Sequence, residues 1–258
     1  MKPADEVVTS RSNPLVARLR ALKSRADADL ALVEGPKLLA EAVSAALTIV
    51  EVAAAPDAAV PDVPAPVRRV SADLLASLSE METSQGVLAI VRRPSFDEEA
   101  LYRGVPLVLV AAGVQNPGNL GGLLRTAEAA GASGAYLTDG CADPFSWKAL
   151  RGSMGSAFRL PHVRRLPLDE VLRRLGARGV TIAAAAASGT PCDAADLRGP
   201  LALLLGPEGA GLPGEVIARA GLRVAVPMRA PVESLNVGVA AGVLLFEAAR
   251  QRRARTGA

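Results

Sequence analysis

The sequence predicts an α/β protein in two parts, and three observations predict it. Short apolar runs of strand length alternate with helical spacings along most of the chain. Two of the runs, over 107–110 and 201–205, are continuously apolar, as strands buried on both faces of a parallel sheet are. Between Arg92 and Gly104 the chain turns charged and loses its periodicity, which marks a boundary between the parts. The expected division is a first domain over 1–95, a linker over 96–104 and a second domain over 105–258. A length of 258 residues suits one large domain or two modest ones, and 50% hydrophobic residues supply a core.

The first part opens on Ser12-Asn13-Pro14, a cap followed by a first-turn proline. Leu15, Val16, Leu19 and Leu22 then follow helical spacing, and Arg11, Arg18, Arg20, Lys23 and Arg25 punctuate the segment without an acid. This basic amphipathic helix reads either as a solvated face or as a phosphate-contacting one. A strand over 30–33, a turn at Glu34-Gly35-Pro36, a helix over 37–46, a strand over 49–53, a loop over 56–66 and a strand over 87–91 follow. In the second part, strands are expected over 107–111, 135–138, 181–186, 201–205 and 223–226. Helices are expected over 120–130, 146–151 and 235–250.

Composition excludes several function classes. Seven aromatic residues argue against extensive base stacking. Two cysteines without CxxC spacing and a single histidine, His162, give neither a zinc site nor a disulfide framework, so no metal is expected. A lone histidine after Pro161 and before Val163 reads as structural, and no triad can be built around it. No stretch approaches the roughly 20 apolar residues of a membrane span. Met1 to Glu6 carries acids and does not read as a signal peptide, so a cytoplasmic location is expected. The 29 basic residues outnumber the 26 acidic ones by only three, so an anion-binding face requires clustering. Four lysines stand against 25 arginines; that bias suits two-point phosphate contacts, and genomic base composition produces it equally well.

Three polar loops follow apolar strands, where an open α/β sheet presents its ligands. They are Gln115 to Gly122, Gly206 to Gly211 and Pro227 to Asn236. The second contains a formal GxGxxG at Gly209, Gly211 and Gly214. A dinucleotide site is rejected there, because Pro207-Glu208 separates strand from glycine, only one further strand remains, and a carboxylate sits badly beside a pyrophosphate. An ordinary Rossmann-type methyltransferase would use Gly118, Gly121 and Gly122 with Asp139, but leaves Glu208, Glu233, Ser234 and Asn236 unexplained. Ser234 also reads as a cap of the last helix.

Taken in order, the loops resemble the three signature motifs of the SpoU-type (TrmH-like) RNA ribose 2′-O-methyltransferases of the SPOUT superfamily. The residues are Asn116-Pro-Gly-Asn-Leu-Gly-Gly-Leu-Leu-Arg-Thr-Ala127, Leu203-Leu-Leu-Gly-Pro-Glu-Gly-Ala-Gly-Leu212, and Val226-Pro-Met228 with Glu233-Ser-Leu-Asn-Val237. Arg151-Gly-Ser-Met-Gly-Ser156 is similar to a serine-containing segment of that family. Asn13-Pro14, Leu32-Val-Glu-Gly-Pro-Lys37 and Thr83-Ser-Gln-Gly86 resemble the substrate-binding domain that precedes the catalytic domain in ribosomal-RNA members.

The resemblance implies a trefoil-knotted α/β domain preceded by a small ribosomal-protein-like α/β domain. It implies S-adenosyl-L-methionine as cofactor, RNA as substrate with rRNA favoured over tRNA, and a homodimer. Carried over by motif position, Leu205, Gly206, Val226, Met228 and Leu235 bind the cofactor. Asn119, Arg125, Ser234 and Asn236 are catalytic, Glu208 and Glu233 organise loops, and Arg11, Arg18, Lys23, Arg25 and Ser153 contact substrate. Arg125 suits the phosphate and a developing alkoxide better than the role of base, because guanidinium stays protonated. The sequence departs from the family at Gly238, where a serine is common. The alternatives are a tRNA methyltransferase and a non-catalytic RNA-binding scaffold on the same fold.

Overall fold

The computed structural model describes residues 7–24 and 27–256. Met1 to Glu6 and Arg25, both used above, lie outside the described residues. In chain order the elements are α1 (Pro14–Ser24), β1 (Leu30–Glu34), α2 (Pro36–Ser44), β2 (Ile49–Ala54), β3 (Val67–Arg69), α3 (Ala72–Leu78) and β4 (Val87–Arg92). A 3-10 helix (Glu98–Tyr102) leads to β5 (Leu107–Ala111), α4 (Pro117–Ala129), β6 (Gly134–Thr138), α5 (Trp147–Ser153), α6 (Ser156–Arg159), β7 (His162–Leu166) and α7 (Leu168–Ala177). The chain closes with β8 (Thr181–Pro191), β9 (Leu201–Leu205), α8 (Gly214–Ala218), β10 (Leu222–Ala225) and α9 (Val237–Thr256).

Two units divide the chain, Met1–Ser95 with Phe145–Arg159, and Phe96–Pro144 with Leu160–Ala258. In the first, Asn13 caps α1 by accepting from the Leu15 amide at 3.0 Å. The apolar spacing then turns Leu15, Val16 and Leu19 into a four-stranded sheet of order β1-β4-β2-β3. They meet Leu32, Ala53, Leu88 and Ile90 from the strands and Leu74, Leu75 and Leu78 from α3. The short β3 and α3 escaped the sequence reading; Leu74, Leu75 and Leu78 carry the helical spacing that reveals α3.

The segment Phe145–Arg159, expected within the second domain, packs with the first unit instead. Trp147 Nε1 donates to the buried Glu34 carboxylate at 2.6 Å, Arg159 pairs with Glu41 at 2.5 Å, and Arg93 lies 5.1 Å from the Phe145 ring centroid. These partners are far away in sequence, so no local pattern announces them.

The second unit is built on a parallel sheet of order β10-β8-β9-β5-β6-β7. Its central strands β5, β6 and β9 are buried at every residue, as continuous apolar runs demand. Val108, Val110, Ala202 and Leu204 pack on one face with Val171, Leu172 and Leu175 of α7. Period-two alternation turns Leu107, Leu109 and Leu203 to the other face, and α9 contacts β9 and packs along α4. The strand β7 was missed because its His-Val-Arg-Arg-Leu sequence alternates poorly at a sheet edge. Leu168, Val171, Leu172 and Leu175 carry a helical spacing that reveals α7.

Residues 96–104 are not a free linker. Asp97 caps the 3-10 helix by accepting from the Glu99 amide at 3.1 Å. The fully buried Tyr136 donates its hydroxyl to Glu98 at 2.5 Å, and Tyr102 donates to Tyr136 at 2.5 Å. Burial raises both phenol pKa values, which keeps each hydroxyl a donor. The basic carboxy-terminal stretch is not a free arm either. Arg252 donates to the carbonyls of Leu197, Val105, Pro106 and Gly199, and Arg250 pairs with Glu247 at 2.8 Å. The side chain of Arg255 lies outside the described residues.

His162 is buried, with Nδ1 2.9 Å from the Leu160 carbonyl and the ring 4.9 Å from Phe96. Burial holds its pKa down to about 4 against an ordinary 6.5. The folded protein therefore keeps this imidazole neutral where the unfolded chain binds a proton. Stability from this group is complete above pH 6.5 and is lost as pH falls from 6.5 towards 4. At pH 5 the loss is roughly 2 kcal/mol by proton linkage. Urea unfolding of wild type and His162→Asn at pH 7.5 and pH 5 checks this: the variant is expected to lose less stability on acidification than the wild type.

Candidate cofactor and catalytic site

The site begins with two neighbouring strands. Ala111 at the end of β5 stands in register with Leu205 at the end of β9, and the Ala112 amide donates to the Leu205 carbonyl at 2.8 Å. The loops that follow therefore leave the same edge of the sheet, side by side, where parallel sheets place their ligands. Asn116 accepts from the amides of Gly118 at 2.9 Å and Asn119 at 3.1 Å, and Pro117 takes the first helical position. That cap starts α4 with Asn119 in its first turn.

The second loop turns tightly, with Gly211 donating to the Pro207 carbonyl at 3.0 Å. Gly209 and Gly211 hold φ values of +80° and +65°, which residues with a Cβ rarely adopt. Gly206 serves a different purpose. A Cβ there would lie 2.5 Å from the Gly211 carbonyl carbon and 2.6 Å from the Leu212 nitrogen. The returning chain passes against the bare Gly206 backbone.

The third loop leads to α9, and its cap is Asn236, not Ser234. Asn236 Oδ1 accepts from the amides of Gly238 at 2.9 Å and Val239 at 3.4 Å. At Gly238, where the family commonly has serine, a Cβ would stand 3.2 Å from that same oxygen, so the bare glycine leaves the cap room.

One side chain ties the loops together. Asn119 Nδ2 donates to Glu208 at 2.6 Å, and Asn119 Oδ1 accepts from Asn236 Nδ2 at 3.2 Å. Both ends of the Asn119 amide are engaged, which fixes which way its oxygen points.

Beside this network lies a cavity of ≈ 900 Å³. Its lining includes all five of the expected cofactor-binding residues: Leu205, Gly206, Val226, Met228 and Leu235. Glu208, Glu233, Ser234 and Asn236 line it too. Sequence reasoning missed Ala185 to Ser188 of β8, Ile217 of α8, and Ala240 and Leu244 of α9. These are ordinary apolar or small residues with no motif to mark them. Among the described lining residues there is no lysine, arginine or histidine, and the acids are Glu208 and Glu233.

Five other expected residues stand elsewhere. Arg125 is exposed on α4 and is not part of the cavity lining. Six positions along a helix turn it by roughly 120° away from Asn119. Ser153, expected to contact substrate, is fully buried, and its hydroxyl donates to the Leu150 carbonyl at 3.0 Å. Lys23 is half-buried and bonded to the Ser79 carbonyl at 3.0 Å, whereas Arg11 and Arg18 are exposed. Among the described residues no helix is long and apolar enough to cross a membrane, and no three His, Cys, Asp or Glu side chains gather as a metal site.

Comparison with known proteins places this geometry in context. Residues 106–246 match the SpoU rRNA methylase family and residues 13–89 match the MRM3-like substrate-binding domain. The chain is 35% identical over 233 residues to the 23S rRNA (guanosine(2553)-2′-O)-methyltransferase of Bacillus subtilis, across 89% of this chain and 92% of that one. The AdoMet-bound SpoU methyltransferase AviRb from Streptomyces viridochromogenes superimposes with a TM-score of 0.84 at 28% identity, covering 93% of this chain and 98% of its own. An AdoMet-bound rRNA methyltransferase from Sinorhizobium meliloti gives 0.84 at 31% identity, covering 95% and 97%.

The close passage at Gly206 makes a direct prediction. Gly206→Ala forces a Cβ against backbone that has no side chain to swing aside. Overpacking of this kind costs about 1–3 kcal/mol, so the melting temperature is expected to fall by roughly 2–12 °C. Differential scanning calorimetry checks it; Gly209→Ala, with nothing within 4 Å of its Cβ, is expected to show only the smaller cost of its positive φ.

Proposed function

The chain belongs to the SpoU rRNA methylase family, and we propose that it methylates a ribose 2′-hydroxyl of 23S ribosomal RNA, with S-adenosylmethionine as methyl donor. The observation that carries this reading is the convergence of three loops on one cavity, with the Asn119 amide bonded to two of its lining residues. The cavity suits the cofactor chemically. Apolar walls from Leu205, Val226, Met228 and Leu235 fit an adenine, and the backbone of the loops supplies fixed polar groups. Two carboxylates and no cation in the lining favour a positively charged sulfonium and disfavour a pyrophosphate. Bound there, the cofactor supplies an electrophilic methyl group.

The remaining work falls to the chain's own side chains. Asn119 orients the ribose, with its amide direction set by Glu208 and Asn236. Ser234, which makes no hydrogen bond among the described residues, and Asn236 position the 2′-hydroxyl. Glu208 and Glu233 organise the loops around it. Arg125 holds the adjacent phosphate and stabilises the negative charge that develops on the 2′-oxygen as its proton passes to solvent and the oxygen takes the methyl group. The first unit's exposed Arg11 and Arg18 contact RNA phosphates.

Arg125 and Asn119 diverge on one helix, so we assign Arg125 to the site of a second copy in a homodimer. Val239, Val243 and Phe246 form an exposed apolar stripe along α9, between 40% and 54% accessible. Such a stripe on a helix asks for a partner. Thr126 of α4, beside Arg125, faces Gly242 of α9, where an added Cβ would stand 3.7 Å from its methyl group. The close approaches at Gly206 and at Gly189, whose Cβ would stand 2.8 Å from Arg223 backbone, support a trefoil-knotted path. We place the protein in the cytoplasm. The match of residues 13–89 to a substrate-binding domain favours rRNA over tRNA.

Incubation of the enzyme with S-adenosylmethionine and unmodified 23S rRNA, followed by mass-spectrometric mapping, tests the assignment. A ribose methyl group is expected, with the nucleotide equivalent to guanosine 2553 as the first position to inspect. A methyl group on a base, or transfer to tRNA alone, contradicts it. Arg125→Ala is expected to lower the single-turnover rate by roughly 10²-fold or more, in line with loss of one charge-stabilising donor. Phe246→Glu is expected to yield a monomer by light scattering and to lose activity with it.

A further inference from the structure

The surface of the second unit around α7 has its cations matched by acids. Arg173 and Arg174 pair with Glu170, Arg174 also with Glu98, Arg178 with Glu99 and Arg219 with Asp169. The segment Phe145–Arg159 of the first unit is arranged differently. Lys148 and Arg151 are exposed there, and neither has an acidic partner among the described residues. Arg151 stacks over the indole of Trp147, with its guanidinium carbon 4.7 Å from the ring centroid.

That indole is held unusually firmly. Its Nε1 donates to Glu34 at 2.6 Å, and Glu34 is only 6% exposed. The same carboxylate accepts from the Ser79 hydroxyl, and from the Glu80 amide at 3.4 Å. Burying a carboxylate is costly unless its oxygens are satisfied. Here the donors are the indole and the 79–80 turn, so the ring orientation is locked into the first unit. The chain's single tryptophan thus forms a half-buried, oriented plane capped by an unneutralised guanidinium, with a second free cation, Lys148, next to it in sequence. A planar cation over an aromatic face is a surface on which a nucleobase stacks while the charge meets phosphate.

We propose that Trp147, Arg151 and Lys148 form a nucleotide-contacting patch of the first unit, additional to the basic face of α1, that grips single-stranded RNA in the substrate. The proposal rests on the RNA-methyltransferase reading above. It makes the segment Phe145–Arg159 part of the substrate-recognition surface, although it lies in sequence between strands of the second unit.

Because Trp147 is the only tryptophan, its emission reports on the patch alone. The test titrates the full-length protein with a fluorescein-labelled 23S rRNA fragment spanning the nucleotide equivalent to guanosine 2553. Anisotropy reports total binding while tryptophan emission is read in parallel with the unlabelled fragment. Saturating RNA is expected to quench or shift the Trp147 emission. Lys148→Ala/Arg151→Ala is expected to weaken RNA binding about tenfold and to reduce the slope of log affinity against log salt by about 1–2. Its affinity for S-adenosylmethionine is expected to be unchanged. RNA binding by the wild type with unaltered emission, and a double variant with wild-type affinity and salt slope, would overturn the patch and leave the RNA reading standing. Failure of the wild type to bind either the fragment or intact 23S rRNA would overturn both.

Discussion

The Asn119 carboxamide donates to Glu208 from the second loop and accepts from Asn236 of the third, while its own backbone is held by the Asn116 cap. Three segments far apart in sequence are joined through one side chain. This joint exists only because β5 and β9 are hydrogen-bonded neighbours, so the first two loops leave the sheet side by side. The third arrives through β10, β8 and the start of α9. The bare backbone of Gly206 lets the returning chain close in, and the cavity is the space those loops enclose. Moving any one loop alters both the cavity wall and the direction of the amide beside it.

Charge is distributed to match this arrangement. The cavity lining carries acids without cations, which suits a cationic cofactor. The α7 surface is neutralised by ion pairs, whose individual contribution to stability is small because they are solvent-exposed. Some arginines are spent on structure. Arg252 binds four backbone carbonyls, and Arg159 pairs with Glu41. The cations left for phosphate are therefore fewer than the raw count of 29 suggests.

Much of this was legible in the sequence because it is local. Continuous apolar runs announced β5 and β9, Asn13-Pro14 announced the start of α1, and the resemblance of the three loops to family motifs picked out five residues that line one cavity. The rest depends on long-range packing. Ser153 reads as a polar motif residue, yet it sits in the core of a segment held to the first unit by Trp147 and Glu34. Arg125 lies in the first motif with Asn119, but helical geometry turns the two apart. The linker over 96–104 reads as charged and aperiodic because its order comes from Tyr136 and Arg174, which lie far along the chain. Ser234 reads as the cap of the last helix in sequence, and the backbone gives that cap to Asn236 instead.

The central claim is that the three loops together form a binding site for S-adenosylmethionine. Isothermal titration calorimetry of the full-length protein with that cofactor tests it most directly. Saturable binding with one site per chain, weakened in Gly206→Ala and unaffected in Ser153→Ala, is the result this structure predicts. The absence of a binding isotherm in the folded wild type would contradict it.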